Sequence, residues 1–280
     1  MAQERIECRE WTPDSDIDLG FRVSGWSHVG RVRSHNEDSF SVEPPIFVVA
    51  DGMGGHDAGD VASRIVVEAF DELAGASYVS IEDMERCVKR AKDLVDDLPG
   101  GDRGAPGSTL VVAGYSMQDG VPFWLIANIG DSRAYIWRAG TLEQVSRDHS
   151  VVQELIESGE IDAAAALAHP ERHVITRAIG ALEDADAEFI IIPLQAGARL
   201  LLCSDGLTGE VSDAAICEVL TTSSSPDEAI DSLVEAALAS GGRDNITVVL
   251  VDAVGTVMAD EITLTGISSV DEDTLRSSRL

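Results

Sequence analysis

The chain has 280 residues, enough for one large domain or two small ones, and an apolar content of 44% supplies a sizeable core. A formal charge of -30, with Lys89 and Lys92 the only lysines among 20 basic residues, repels phosphate backbones and anionic lipid, which excludes nucleic acid and membrane surfaces as partners. Cys8, Cys87, Cys203 and Cys217 are scattered without a CxxC pair, residues 1–18 are polar with no signal-peptide pattern, and no apolar run approaches the ~20 residues a membrane helix needs. A reduced, cytoplasmic, monomeric protein is the expectation.

Residues 1–20 read as an extension ahead of a single domain over 21–254. Runs rich in Val, Ile, Leu and aromatics predict strands over 21–24, 39–42, 46–50, 109–115, 122–129, 132–138, 141–145, 189–193, 198–203 and 247–252. Ala139-Gly140 and Ala196-Gly197 read as hairpin turns between adjacent runs, which favours antiparallel pairing. From Asp60, the residues Ala62, Ile65, Val66, Ala69, Phe70 and Leu73 fall at helical spacing and form one apolar face. Ser80 with Asp83, and Ser225-Pro226 with Glu228, are helix starts of the capping-box kind, followed by amphipathic helices over 81–98 and 226–239. Residues 148–180, with a helix over 151–158 and a polar run over 169–177, read as a flap crossing the surface beside the active centre. The acidic, Ser- and Thr-containing tail over 255–280 reads as loosely ordered. Together these patterns predict an α+β architecture with helices layered on sheets.

Four of the apolar runs meet an aspartate at a strand mouth: Asp51 before Gly52, Asp131 after Gly130, Asp205 before Gly206, and Asp244 ahead of 246–251. Carboxylates gathered at strand ends repel one another, and hard divalent cations relieve that repulsion. The pair Glu37-Asp38, just before a predicted strand, is placed to join them. In Asp51-Gly52-Met53-Gly54-Gly55-His56 the glycines allow close backbone approach, so that a carboxylate and a carbonyl both face a metal; a tight strand-to-helix turn is the alternative. Arg33 offers the fork a phosphate monoester requires, the alternative being a surface arginine paired with Glu37. Each aspartate taken singly is equally a turn former or helix cap.

Taken in order, residues 33–38, 51–56, 107–109, 130–135, 148–150, 204–207 and 244–247 resemble the metal-dependent protein serine/threonine phosphatases of the PP2C type, in particular their bacterial branch, over about 21–254. The resemblance implies a four-layer α-β-β-α sandwich, two antiparallel sheets face to face with helices outside. It also implies Mn²⁺ or Mg²⁺, with two ions in the core site. In that scheme Asp51 bridges the ions and Gly52 lends its carbonyl. Asp205 and Asp244 serve the second ion, Glu37 and Asp38 hold metal-bound waters, and Arg33 grips the substrate phosphate. Asp131 with Asp205 matches a third, weaker site, and His56 is the candidate proton donor. The implied chemistry is hydrolysis of phosphoserine and phosphothreonine by metal-activated water without a phosphoenzyme, on phosphorylated proteins that include a cognate serine/threonine kinase. One departure stands out: many family members carry an aspartate four residues after the one matched by Asp205, where this chain has Gly209 followed by Glu210. Either Glu210 substitutes through its longer arm or the third site is weak. The rival reading is a catalytically weak relative that binds phosphoproteins as a regulator; loss of the core aspartates would signal it, and here all are present. A phosphodiesterase or nuclease sits poorly with the negative charge, and a zinc hydrolase lacks a His/Cys ligand cluster.

Overall fold

A computed structural model of the chain describes residues 4–14, 17–54, 58–99, 105–166, 168–180 and 186–255. The elements in chain order are β1 (Glu4–Trp11), β2 (Leu19–His28), β3 (Asp38–Glu43), β4 (Ile46–Met53), α1 (Ala58–Glu68), α2 (Ile81–Asp96), β5 (Gly107–Ser108), β6 (Leu110–Gln118), β7 (Val121–Ile129), β8 (Arg133–Arg138) and β9 (Thr141–Gln144). They continue with α3 (Val151–Glu157), α4 (Ala163–Ala166), β10 (Glu188–Pro193), β11 (Arg199–Cys203), α5 (Asp205–Thr208), α6 (Asp213–Thr222), α7 (Pro226–Ser240) and β12 (Ile246–Gly255). All ten predicted strands are present.

Two sheets result, one ordered β1-β2-β12-β11-β8-β9 and the other β10-β7-β6-β4-β3, with β5 pairing to β4, and every pairing is antiparallel. Because side chains alternate along a strand, each sheet buries both faces. In β11, Leu200 and Leu202 join a core shared with Phe47 and Val49 of the other sheet, while Leu201 and Cys203 turn outward onto Leu233 and Val234 of α7. In β4, Ile46 and Val48 face the opposite way, onto Val66 of α1 and Met84 and Cys87 of α2. Three apolar layers thus separate four layers of structure, helices, sheet, sheet and helices, as expected. Phe21, Trp11, Tyr115 and Trp124 form an aromatic cluster in the middle layer, with ring centroids 5.1–5.7 Å apart.

Several local expectations need correction. Ala139-Gly140 does close the β8–β9 hairpin, but Ala196-Gly197 does not join paired strands: β10 pairs with β7, and β11 with β8 and β12, so this turn carries the chain from one sheet to the other. The segment read as an extension contributes β1, an edge strand on β2. Its alternation of charged residues with Ile6 and Cys8 lacks the apolar face by which a strand is read. The capping box at Ser80 and Asp83 is complete. At α7, Ser225 accepts from the Glu228 amide, yet the Glu228 carboxylate takes its bonds from Ser224. The tail beyond residue 255 lies outside the described residues.

Candidate metal centre

The sheets meet at an edge where β3, β4, the β7–β8 turn, the start of α5 and the start of β12 come together. Asp38 and Asp51 are direct register partners across β3 and β4, so two carboxylates stand side by side where like charges normally destabilise a pair. Burial, followed by Asp38, Asp205, Asp131 and Asp244 in that order, holds the Asp51 carboxyl well above the usual carboxylate range. Asp131 is raised in the same way by burial, then by Asp205 and Asp148. Asp205 is raised by burial and by Asp244, against the pull of His173, a hydrogen bond with Asp51, and Arg33. The four strand-mouth aspartates therefore share one field, together with Asp38.

Asp38 shows how the neighbouring sheet supports this cluster. Its Oδ2 accepts from Ser204 Oγ at 2.7 Å and from Thr247 Oγ1 at 2.7 Å, while Oδ1 is buried with no partner among the described residues. Burial pushes its carboxyl up to about 7 despite the two hydroxyls. The Thr247 hydroxyl spends its proton on Asp38, so it accepts from Ser27 Oγ at 2.8 Å, and Ser27 accepts in turn from Asn36 Nδ2. Glu37 Oε1 and Asp60 Oδ1 are likewise buried without a partner among the described residues, and burial raises the Glu37 carboxyl.

Backbone positions are fixed as tightly. The amide of Asp51 donates to Thr109 Oγ1 at 3.0 Å, and its carbonyl accepts from the Thr109 amide at 2.9 Å. A Cβ on Gly52 would lie 2.0 Å from the Gly59 carbonyl oxygen and 2.6 Å from that of Glu37, so only glycine lets β4, α1 and the Glu37 segment close together. Asn245 ties down the loop that carries Arg33: its Nδ2 donates to the carbonyls of Val29 and His35, and its Oδ1 accepts from the Glu37 amide. Arg33 itself is half-exposed and donates to Asp244 Oδ2 at 2.6 Å, rather than pairing with Glu37.

His56 lies outside the described residues. Glu210 does not reach toward Asp131: its carboxylate accepts from the Arg243 amide at 3.0 Å and from Arg243 Nη1 at 2.7 Å. The longer arm therefore does not replace the aspartate missing at Gly209.

Sequence reasoning assigned no role to Ser204, Thr247, Asn245 or Thr109, although all four sit inside the matched blocks. The available signal was their polarity at the ends of apolar strands. Near Asp131, Arg133 grips Asp148 through Nε and Nη2 and donates to the Tyr135 hydroxyl, a part-buried ion pair beside the site.

Among the described residues no three acidic, histidine or cysteine side chains already form a ready-made coordination sphere. What stands there is a set of mutually repelling carboxylates with orphaned oxygens. An all-oxygen donor set of this kind, without thiolate or imidazole, fits hard divalent cations such as Mg²⁺ and Mn²⁺.

A family model described as protein phosphatase 2C matches residues 25–243. Serine/threonine phosphatase stp of Listeria welshimeri is 37% identical over 241 residues, spanning 80% of this chain and 92% of that protein. The crystal structure of the Mycobacterium tuberculosis serine/threonine phosphatase PstP/Ppp superposes with a TM-score of 0.75 at 34% identity, covering 83% of this chain and 98% of that one. The catalytic domain of the phosphatase PstP solved with two manganese ions does so with a TM-score of 0.75 at 33% identity, over 84% and 99% of the two chains. The chain belongs to the protein phosphatase 2C family.

Proposed function

We propose that the chain is a divalent-metal-dependent phosphatase that removes phosphate from serine and threonine side chains of proteins. The observation that carries this reading is the convergence of Asp38, Asp131, Asp205 and Asp244 on Asp51, with Arg33 at the rim. In this reading Asp51 and the Gly52 carbonyl hold the first ion, and Asp51, Asp205 and Asp244 the second. Glu37 and Asp38, each with a buried oxygen left over, order water around them. Divalent ions held there would supply neutralisation of phosphoryl charge and a lowered pKa for the water that attacks phosphorus.

The chain's own residues do the rest. Arg33 presents a planar fork to two phosphoryl oxygens and, with its charge raised further above neutrality by Asp244, stays protonated throughout. Asp38 is held rigid by Ser204 and Thr247 and keeps its second oxygen for the site. His56 is assigned the proton for the departing serine or threonine oxygen. Asp131 and Asp205 serve a third, weaker ion, because Gly209 brings no side chain and Glu210 is committed to Arg243. Four free cysteines fit a reduced cytoplasm, and no helix among the described residues is long and apolar enough to cross a membrane. Substrates are phosphorylated proteins, including the kinase this enzyme opposes.

The substrate class is tested by comparing initial rates at saturating Mn²⁺ on a phosphothreonine peptide, a phosphotyrosine peptide and a phosphodiester. The phosphothreonine peptide turns over fastest. A phosphodiester rate equal to it would move the reading to a phosphodiesterase.

A further inference from the structure

The structure assigns a positioning role to Glu210, a residue outside the set of metal-facing carboxylates. It is an acidic side chain with only 6% of its surface exposed, two residues past the end of α5, the short helix whose first residue is Asp205. Its Oε1 accepts from the backbone amide of Arg243, and its Oε2 from Arg243 Nη1. Arg243 immediately precedes Asp244. Glu210 therefore links the segment carrying Asp205 to the segment carrying Asp244.

The two halves of this link differ in kind. The Arg243 side chain is 71% exposed, and an ion pair to such a group adds little. The bond to the amide is different, because a carboxylate accepting from a backbone N–H fixes the chain itself. The carbonyl of Gly242 is bonded by the Arg31 amide at 2.7 Å, and Asn245 is held through its side chain, so the Glu210 bond completes the anchoring on both sides of Asp244. Asp205 and Asp244 are like charges on segments packed together where Gly206 abuts the Asn245 carbonyl, and they repel one another. Without the Glu210 bond the Asp244 segment loses its direct tie to the segment that carries Asp205.

We infer that Glu210 sets the spacing of Asp205 and Asp244 and so tunes the affinity of the ion that needs both, leaving the ion held by Asp51 and Gly52 alone. The inference rests on the two-ion reading given above. Supporting bonds of this kind are worth 10- to 100-fold in metal affinity.

The test is calorimetric titration of the metal-stripped full chain with MnCl₂, with thermal melting recorded alongside. The wild type takes up two ions tightly, apart from any third, weaker one. Glu210→Ala weakens the second by about tenfold or more and leaves the first unchanged. Glu210→Gln, whose amide oxygen still accepts from the Arg243 N–H, restores most of the affinity, and Arg243→Ala, which keeps that N–H, binds both ions as the wild type does. Should the alanine variant not fold, Glu210→Asp withdraws the carboxylate by one methylene and shows the same selective loss. Wild-type affinities for both ions in Glu210→Ala or Glu210→Asp, with only the melting temperature lowered, overturn the proposal and leave Glu210 a purely structural residue. A wild-type chain that takes up fewer than two ions overturns the two-ion reading itself, and the proposal with it.

Discussion

Asp38 keeps one oxygen bonded and the other bare inside the protein, and that asymmetry carries a pH signature. Its carboxyl sits near 7 in the folded chain against an ordinary value of 3.8, and Asp51, Asp131 and Asp205 move in the same direction. Between those values the metal-free folded chain holds protons that the unfolded chain has released, so its stability falls as pH rises through that window. Melting temperatures of the metal-free protein are therefore higher at pH 5.5 than at pH 8, and Mn²⁺ reverses the order, since the ions bind the deprotonated carboxylates. Melting that is insensitive to pH would show the cluster to be less coupled than its geometry indicates. At Arg33 the chemistry is that of a fork: Arg33→Lys keeps the charge but loses the paired hydrogen bonds, and kcat/KM on a phosphothreonine peptide falls by about 10- to 100-fold. Asp51, Asp205 and Asp244 were legible in the sequence because each ends or flanks an apolar run, and Arg33 because it lies five residues before Asp38. Ser204, Thr247 and Asn245 were not, since the partners they reach across the site lie 166 to 216 residues away and only the fold makes them neighbours.

Elements were legible where burial is one-sided or complete, and illegible where it is neither. Apart from β1, the strands of the six- and five-membered sheet paths were all expected. β1 lies at an edge with five of its eight side chains charged, and α6 buries only Ile216 and Leu220, too few for a helical stripe to stand out. The Ala196-Gly197 turn was misread because a turn signal between two strands does not state whether those strands pair; here the β10–β11 connection changes sheets. The placing of α5 depends on Gly206, whose Cβ would lie 1.8 Å from the Asn245 carbonyl oxygen. Gly206→Ala therefore forces α5 away from the start of β12, destabilises the chain by about 3 kcal/mol or more in denaturant unfolding, and lowers Mn²⁺ uptake. A variant with wild-type stability would contradict the close approach on which the site is built.

At the scale of the whole molecule, four layers bring strand ends from both sheets to one edge, and the aspartates at those ends come from segments almost 200 residues apart in the chain. Sequence order alone pointed to cations. Folding adds the unequal environments, with Asp38 gripped by the opposite sheet, Asp51 at the centre of the field, and Glu210 turned aside to Arg243. The central claim is that this edge is a metal centre that hydrolyses phosphate esters, with Asp51 as its common ligand. It is tested most directly by phosphate release from a phosphothreonine peptide, with and without Mn²⁺, by the wild type and by Asp51→Asn. The account predicts Mn²⁺-dependent turnover in the wild type and a loss of at least about 100-fold in the variant. Equal turnover by the two proteins, or wild-type turnover indifferent to Mn²⁺ after metal stripping, would contradict it.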